Sequence, residues 1–228
     1  MRIPLYIEFS GKNVLIIGGG GVGTVRAKKF KEAGANVRVL SLDFSEELKK
    51  MDVELIRGDA KDEKLLEENI KWCDLVTVAV KDLSVNDLVI ELSKKYKALV
   101  NLANDAKRTE VVIPFDDSVD GIRFAVTTEG KSGIVARIIR DKIRELIEKD
   151  RETQNLLKAM EFLKRYMKEN NIPVEIRMKM YFAISKDEKF KELVSEGKVE
   201  EAKEYAINYL REYMNGKREI KDEGWIRF

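Results

Sequence analysis

KNVLIIGGGGVG, residues 12–23, runs an apolar strand, Val14-Leu15-Ile16-Ile17, straight into a glycine-rich turn. Gly18, Gly20 and Gly23 satisfy G-x-G-x-x-G, and Thr24 to Ala33 have helical character. Strand, glycine turn, helix is the context a dinucleotide-binding fingerprint demands. Each glycine serves a separate purpose. Gly18 allows the sharp turn, Gly20 the close approach of backbone to a pyrophosphate, and Gly23 the close packing of helix on strand. The N–H groups at the helix start, at Gly21, Val22 and Gly23, favour negative charge. NAD is therefore the expected cofactor, with its pyrophosphate on Gly18 to Gly23.

Working outward, the helix ends at Gly34, a C-terminal stop. Asn36–Leu40 reads as the second strand, completing a βαβ unit. Asp43 is the acid in reach after it, either as a ribose contact or as the N-cap of a helix Glu46–Met51, a role for which Ser45 competes. No arginine directly follows this strand, which favours NAD over NADP. Val53–Arg57 is a third strand and Glu63–Asn69 a short helix. Leu75–Val80, LVTVAV, has the continuous apolar character of a strand buried on both faces. Ligands in such sheets lie beyond the carboxyl ends of strands, so Thr77 to Asp82, with Val80 among them, should border the nicotinamide half. Asn86–Lys95 is a helix and Ala98–Leu102 the fifth strand. Upstream, Ile3, Leu5 and Ile7 alternate as in a short edge strand.

At the end of the fifth strand stand Asn101-Leu102-Ala103-Asn104-Asp105. Asp105 could be a base, a proton carrier or a turn residue beside Asn104. The pattern then changes. Val111–Phe115 and Ile122–Thr127 read as strands joined by an acidic loop, Asp116–Gly121. Ser132 is a plausible N-cap for a long helix Ile134–Glu148. Its stripe of Ile134, Ile138, Ile139, Ile143, Leu146 and Ile147 is core or subunit interface. Beyond Asp150 the chain is helical and charged. The row Tyr205, Tyr209, Tyr213 reads as packing, and Trp225 to Phe228 closes a tail that docks or frays.

The 228 residues suit a large domain plus a smaller one, and 44% apolar residues supply a core. Forty-three basic residues against 41 acidic ones speak against general nucleic-acid attraction. Cys73 is the single cysteine, excluding an internal disulfide and fitting a reducing cytoplasm; it reads as a small buried residue rather than a nucleophile. The chain has no histidine, so a resident metal centre is not expected. No apolar run has the ~20 residues of a membrane span, and MRIPLYIEFSGK lacks a signal-peptide core. Abundant Lys and Glu with one glutamine, Gln154, follow thermophile usage.

PLYIEFSGKNVLIIGGGGVGTVRAKKFKEAGANVRVL, then VNLAND, VVIPF and IRFAVTTEGKSGIVARIIRDKIREL, resemble the precorrin-2 dehydrogenases, including the NAD-binding part of siroheme synthases, over about Leu5 to Leu146. The methyltransferase domain fused to some members has no counterpart in these residues. The expected fold is α/β: a Rossmann-like parallel sheet over residues 1–113, a mixed strand–helix segment over 114–150, through which the resemblance implies dimerisation, and an all-helical region over 151–228. The resemblance also implies NAD-dependent oxidation of the tetrapyrrole precorrin-2 to sirohydrochlorin by a homodimer, with iron insertion into the product in some members. The family's aspartate in Asn-x-x-Asp falls on Asn104 here; either Asp105 takes the role by a one-residue shift or the aspartate is dispensable. A substrate rich in carboxylates calls for basic neighbours, and Lys107, Arg108, Lys131 and Arg137, with Ser132, are the candidates by position. A reading of another class is an NAD-sensing module whose helical tail binds a partner.

Overall fold

A computed structural model describes residues 2–220. They form two compact units: residues up to Phe115 together with Thr127–Ala136, and Asp116–Val126 together with residues from Arg137 onward.

The first unit is built on a parallel sheet. β1 (Asn13–Gly19) enters α1 (Gly21–Glu32), and Gly34, at φ +79°, returns the chain to β2 (Asn36–Phe44). A 3₁₀ turn, Leu48–Lys50, leads to β3 (Glu54–Arg57). α2 (Glu63–Trp72) starts where the Asp62 carboxylate accepts from the N–H groups of Lys64 and Leu65, satisfying two donors that a bare helix end leaves orphaned. β4 (Leu75–Val78), α3 (Ser84–Tyr96) and β5 (Leu99–Leu102) complete the sheet in the order β3-β2-β1-β4-β5. Registers pair Ile17 with Leu40 on one side and with Val78 on the other. The alternation along β1 splits the core in two. Leu15 and Ile17 face a cluster with Leu66, Ile70, Val85 and Val89, while Val14 and Ile16 face one with Ala27, Phe30 and Val39. All four β1 residues are at most 1% exposed, as a strand covered on both faces requires. The chain reverses its direction of travel across the sheet at β1, so the crevice opens between the carboxyl ends of β1 and β4.

β6 (Phe115–Val119) and β7 (Ile122–Val126) form a two-stranded sheet, followed by α4 (Gly133–Lys149). Four further helices are α5 (Arg151–Glu169), α6 (Val174–Lys186), α7 (Glu188–Ser195) and α8 (Val199–Met214). They have their own core, in which Leu163, Met167 and Phe190 are fully buried. Tyr209 is 8% exposed there beneath the Arg218 guanidinium, 4.0 Å from its ring, in keeping with the packing role expected of the tyrosine row. No helix among the described residues is long and apolar enough to cross a membrane.

Four local expectations change. Residues 3–9 form no strand; Ile3, Leu5 and Tyr6 stay exposed, and the segment is anchored by Phe9, whose ring meets Phe30 edge-on at 4.9 Å. β2 runs on to Phe44, leaving room for only the 3₁₀ turn where a helix Glu46–Met51 was expected. Val111–Phe115 is not a strand. The acidic stretch expected as a loop is mostly β6, because Asp120 (φ +46°) and Gly121 (φ +86°) make a two-residue hairpin turn with both φ positive. That Asp-Gly pair is the local signal for the hairpin. The closing Trp225–Phe228 lies outside the described residues.

Candidate functional site

Every residue singled out from the sequence as a cofactor, catalytic or substrate contact, Arg137 excepted, falls in the first unit. The glycine turn sits at the carboxyl end of β1. Gly18 has φ +114°, a conformation L side chains rarely adopt, and a Cβ there would lie 2.8 Å from the Ala79 carbonyl oxygen. A Cβ on Gly23 would lie 1.9 Å from the Gly18 carbonyl oxygen, so this glycine permits the close seating of α1 on β1. Gly20 and Gly21 differ: a Cβ on either meets nothing within 4 Å. They border open space, and α1 begins there with no side-chain cap and no acid in its first turn. The N–H groups of Gly21, Val22 and Gly23 precede the first closed turn of the helix, so their donors are orphans by construction. Uncapped donors, the positive end of a helix dipole and open space beside two glycines fit the pyrophosphate of a dinucleotide.

Two neighbours extend this surface. Gly19 pairs with Phe44 in the β1–β2 register, and a Cβ on Gly19 would lie 2.2 Å from the Asp43 carbonyl oxygen. Asp43 therefore stands beside the glycine turn, exposed at the end of β2, with its carboxylate accepting the Phe44 N–H at 2.9 Å. On the other side Val80 Cγ1 would be 3.0 Å from a Gly18 Cβ. Its carbonyl accepts from Asn104 Nδ2 at 2.9 Å. The turn is thus linked through Val80 to the corner after β5.

That corner is tightly wired. Asn104 and the fully buried Asn86 exchange amide hydrogen bonds of 3.0 and 3.2 Å. An amide cannot accept a proton as a carboxylate does, and this one is a brace between α3 and β5. Asp105 receives the N–H groups of Lys107 and Arg108 and, at 2.6 Å, Arg108 Nε. The Arg108 guanidinium beside it holds the Asp105 carboxyl below the usual carboxylate range, helped by these backbone donors. Arg108 also pairs with Asp87, so its charge is already matched. Lys107 and Lys131 are exposed. Their preceding residues touch: a Cβ on Gly130 would lie 2.3 Å from Ala106 Cβ. Ser132 caps α4, its Oγ accepting the Val135 N–H at 3.2 Å.

Sequence reasoning missed Asn86, whose buried amide holds Asn104, and Arg2. Arg2 donates to the carbonyls of Ala106 and Thr109 and pairs with Glu129, tying the start of the chain to both the 106–109 corner and the 129–131 turn. Nothing local marks such a residue, because its partners lie more than a hundred positions away. An open groove of about 640 Å³ is lined by Arg2, Thr109, Glu110 and Glu129 and includes none of the glycine turn. Its two acids suit a carboxylate-rich ligand poorly. Cys73 is buried, its Sγ donates to the Ile70 carbonyl, and burial pushes its thiol up to about 12, which leaves it inert as a nucleophile. The described residues hold no cluster of three or more His, Cys, Asp or Glu able to bind a metal.

Comparison with known proteins follows the same lines. Residues 5–115 match the family described as "Putative NAD(P)-binding". A protein of Methanocaldococcus jannaschii named "Putative precorrin-2 dehydrogenase" is 28% identical over 198 residues, 83% of this chain and 93% of that protein. "Siroheme synthase 2" of Yersinia enterocolitica is 29% identical over 148 residues, 63% of this chain but only 30% of that longer protein. Among solved structures, "SirC, precorrin-2 dehydrogenase" superposes with a TM-score of 0.64 at 21% identity, covering 93% of this chain and all of that one, and so shares the fold. The chain is a homologue of proteins named precorrin-2 dehydrogenase and siroheme synthase and carries a Rossmann-like fold.

Proposed function

We propose that this homologue of precorrin-2 dehydrogenases is itself an NAD-dependent precorrin-2 dehydrogenase, oxidising the tetrapyrrole to sirohydrochlorin in siroheme synthesis. The observation that carries the reading is kinship along almost the full length of a protein of that name, 83% of this chain against 93% of the relative. The glycine turn supports it independently, with the first N–H donors of α1 left without a side-chain cap and open space beside Gly20 and Gly21. The reaction removes two hydrogens, one as hydride and one as a proton. When bound, the nicotinamide supplies the hydride acceptor. The chain's own work is to hold the partners in line and to receive the proton.

In this reading Gly20, Gly21, Val22 and Gly23 bind the pyrophosphate and Asp43 accepts from the ribose hydroxyls. An acid at that position repels a 2′-phosphate, which favours NAD over NADP. Val80 borders the nicotinamide. Asp105 takes the proton, directly or through water. Asn104 keeps the corner rigid. Lys107 and Lys131 hold substrate carboxylates, with Ser132 beside them, while Arg108 acts mainly by orienting Asp105. Metal insertion would demand a strong base for the pyrrole protons. The chain has no histidine to take those protons, which favours dehydrogenation over metal insertion.

A homodimer completes the proposal. Ile134, Val135, Ile138, Ile139 and Leu146 of α4 are 40–76% exposed in the single chain. An apolar stripe of that size on one helix marks an interaction surface. The single buried cysteine suits a cytoplasmic enzyme. The test is direct: precorrin-2 and NAD are mixed with the protein and absorbance of NADH is followed. Absence of NADH formation by folded, NAD-binding protein overturns the assignment.

A further inference from the structure

Two serines four residues apart close on a single glycine of the turn. Gly19 N–H donates to Ser41 Oγ at 3.0 Å, and Ser45 N–H donates to the Gly19 carbonyl at 2.9 Å. Thr24, the first residue after Gly23, donates its hydroxyl to the Gly20 carbonyl at 2.9 Å, and its Oγ1 lies 2.8 Å from Ser45 Oγ. Proton accounting sets the direction of that last bond. A hydroxyl has one hydrogen. Thr24 spends its hydrogen on Gly20, so Ser45 is the donor to Thr24. Ser45 Oγ in turn accepts the Leu48 N–H at 3.2 Å. A chain of hydrogen bonds runs from Leu48 N–H through Ser45 and Thr24 to the Gly20 carbonyl, each bond polarising the next. Thr24 is 4% exposed, so water does not compete well for these bonds.

Asp43 stands midway between the two serines. The clamp therefore ties the segment that carries this acid to the turn that carries the free N–H donors. A run of four glycines is conformationally loose, and ordering it only on binding would weaken binding. We propose that Ser41, Ser45 and Thr24 are positioning residues for dinucleotide binding, holding the Gly21–Gly23 donors and the Asp43 carboxylate in the fixed relation that a pyrophosphate joined to a ribose requires. None of the three touches the ligand in this scheme; their hydroxyl oxygens bond to the turn, to one another and to the Leu48 N–H. The inference rests on the dinucleotide reading above.

The experiment is a fluorescence titration of the full-length protein with NADH, accompanied by thermal denaturation. Thr24→Val and Ser45→Ala each raise the NADH Kd about five- to tenfold, the worth of one well-placed hydrogen bond. The double variant adds little, because both changes break the same chain. Thr24→Ser and Ser45→Thr, which keep the hydroxyls, restore most of the affinity. In turnover assays the loss falls on the KM for NAD and not on the KM for the tetrapyrrole. Unchanged NADH affinity in Thr24→Val and Ser45→Ala, with the wild-type chain binding normally, overturns the clamp alone, whatever happens to the melting temperature. So does a Thr24→Ser variant as weak as Thr24→Val. A wild-type chain that binds no NADH removes the dinucleotide reading itself, and the clamp with it.

Discussion

Adjacent glycines in the turn do different things, and substitution separates them. Gly20, at φ −81°, faces open space, so Gly20→Ala should leave the melting temperature almost unchanged while weakening NADH binding, because the new methyl would enter the space proposed for the pyrophosphate. Gly23→Ala forces a Cβ to 1.9 Å from a backbone oxygen, and α1 must lift from β1. Overpacking of that kind costs about 1–3 kcal/mol or more, so this variant should lose both stability and NADH affinity, read by thermal melts and titration. Asp105 offers a test by pH. Its folded-state carboxyl is held down by Arg108, so the stability it adds is full above the unfolded value, about 3.9, and is lost as pH falls through the lower folded one. The melting temperature of the wild type should therefore fall more steeply than that of Asp105→Asn on acidification below about pH 4. Parallel curves would show that the Arg108 pair adds nothing.

At the scale of elements, α4 is the anomaly. Ala136 is its one buried residue, and its apolar stripe faces outward. The Asp117 carboxylate of β6 meets Arg144 at 3.0 Å, which fixes the hairpin to the polar side of the helix. Asp117 is itself held below the usual carboxylate range, first by the Ser118 N–H and then by Arg144 and Arg140. If the bare stripe is the seam between two copies, Ile138→Glu should convert a dimer to a monomer by light scattering while the circular dichroism of the chain stays the same. A charge there costs nothing in a free helix face but is intolerable in an apolar seam. The 3.6-residue spacing made the helix and its apolar side legible in the sequence. Periodicity marks which side of a helix is apolar, and burial depends on what lies opposite, so core and interface look alike in one dimension. The hairpin was legible too, through Asp120-Gly121. Assigning its strands from β-rich composition alone displaced the first of them by several residues.

Across the whole molecule, the two units rest on separate cores, one around the sheet and one around Phe190. Phe190→Ala should destabilise the helical unit by about 3–5 kcal/mol in denaturant melts. The NADH affinity of the folded protein should not change, since the glycine turn belongs to the other unit. Coupled loss of both would mean that the units are not independent. The fold class, the strand order of the first βαβ unit and the position of the glycine turn could all be read from sequence. The βαβ unit and the glycine turn depend on contacts within about thirty residues, where hydrophobic period and glycine placement leave few alternatives. What the tertiary structure alone decided is how distant side chains spend their hydrogen bonds. Asn104 became a brace because Asn86 is buried opposite it, and Asp105 became an ionised partner because Arg108 folds back onto it. Ser41, Ser45 and Thr24 look like ordinary hydroxyl residues until β2 is laid against β1 and the turn closes over them. Parallel pairing brings together groups that no local pattern connects, and a polar group's role is set by the partner it finds in three dimensions.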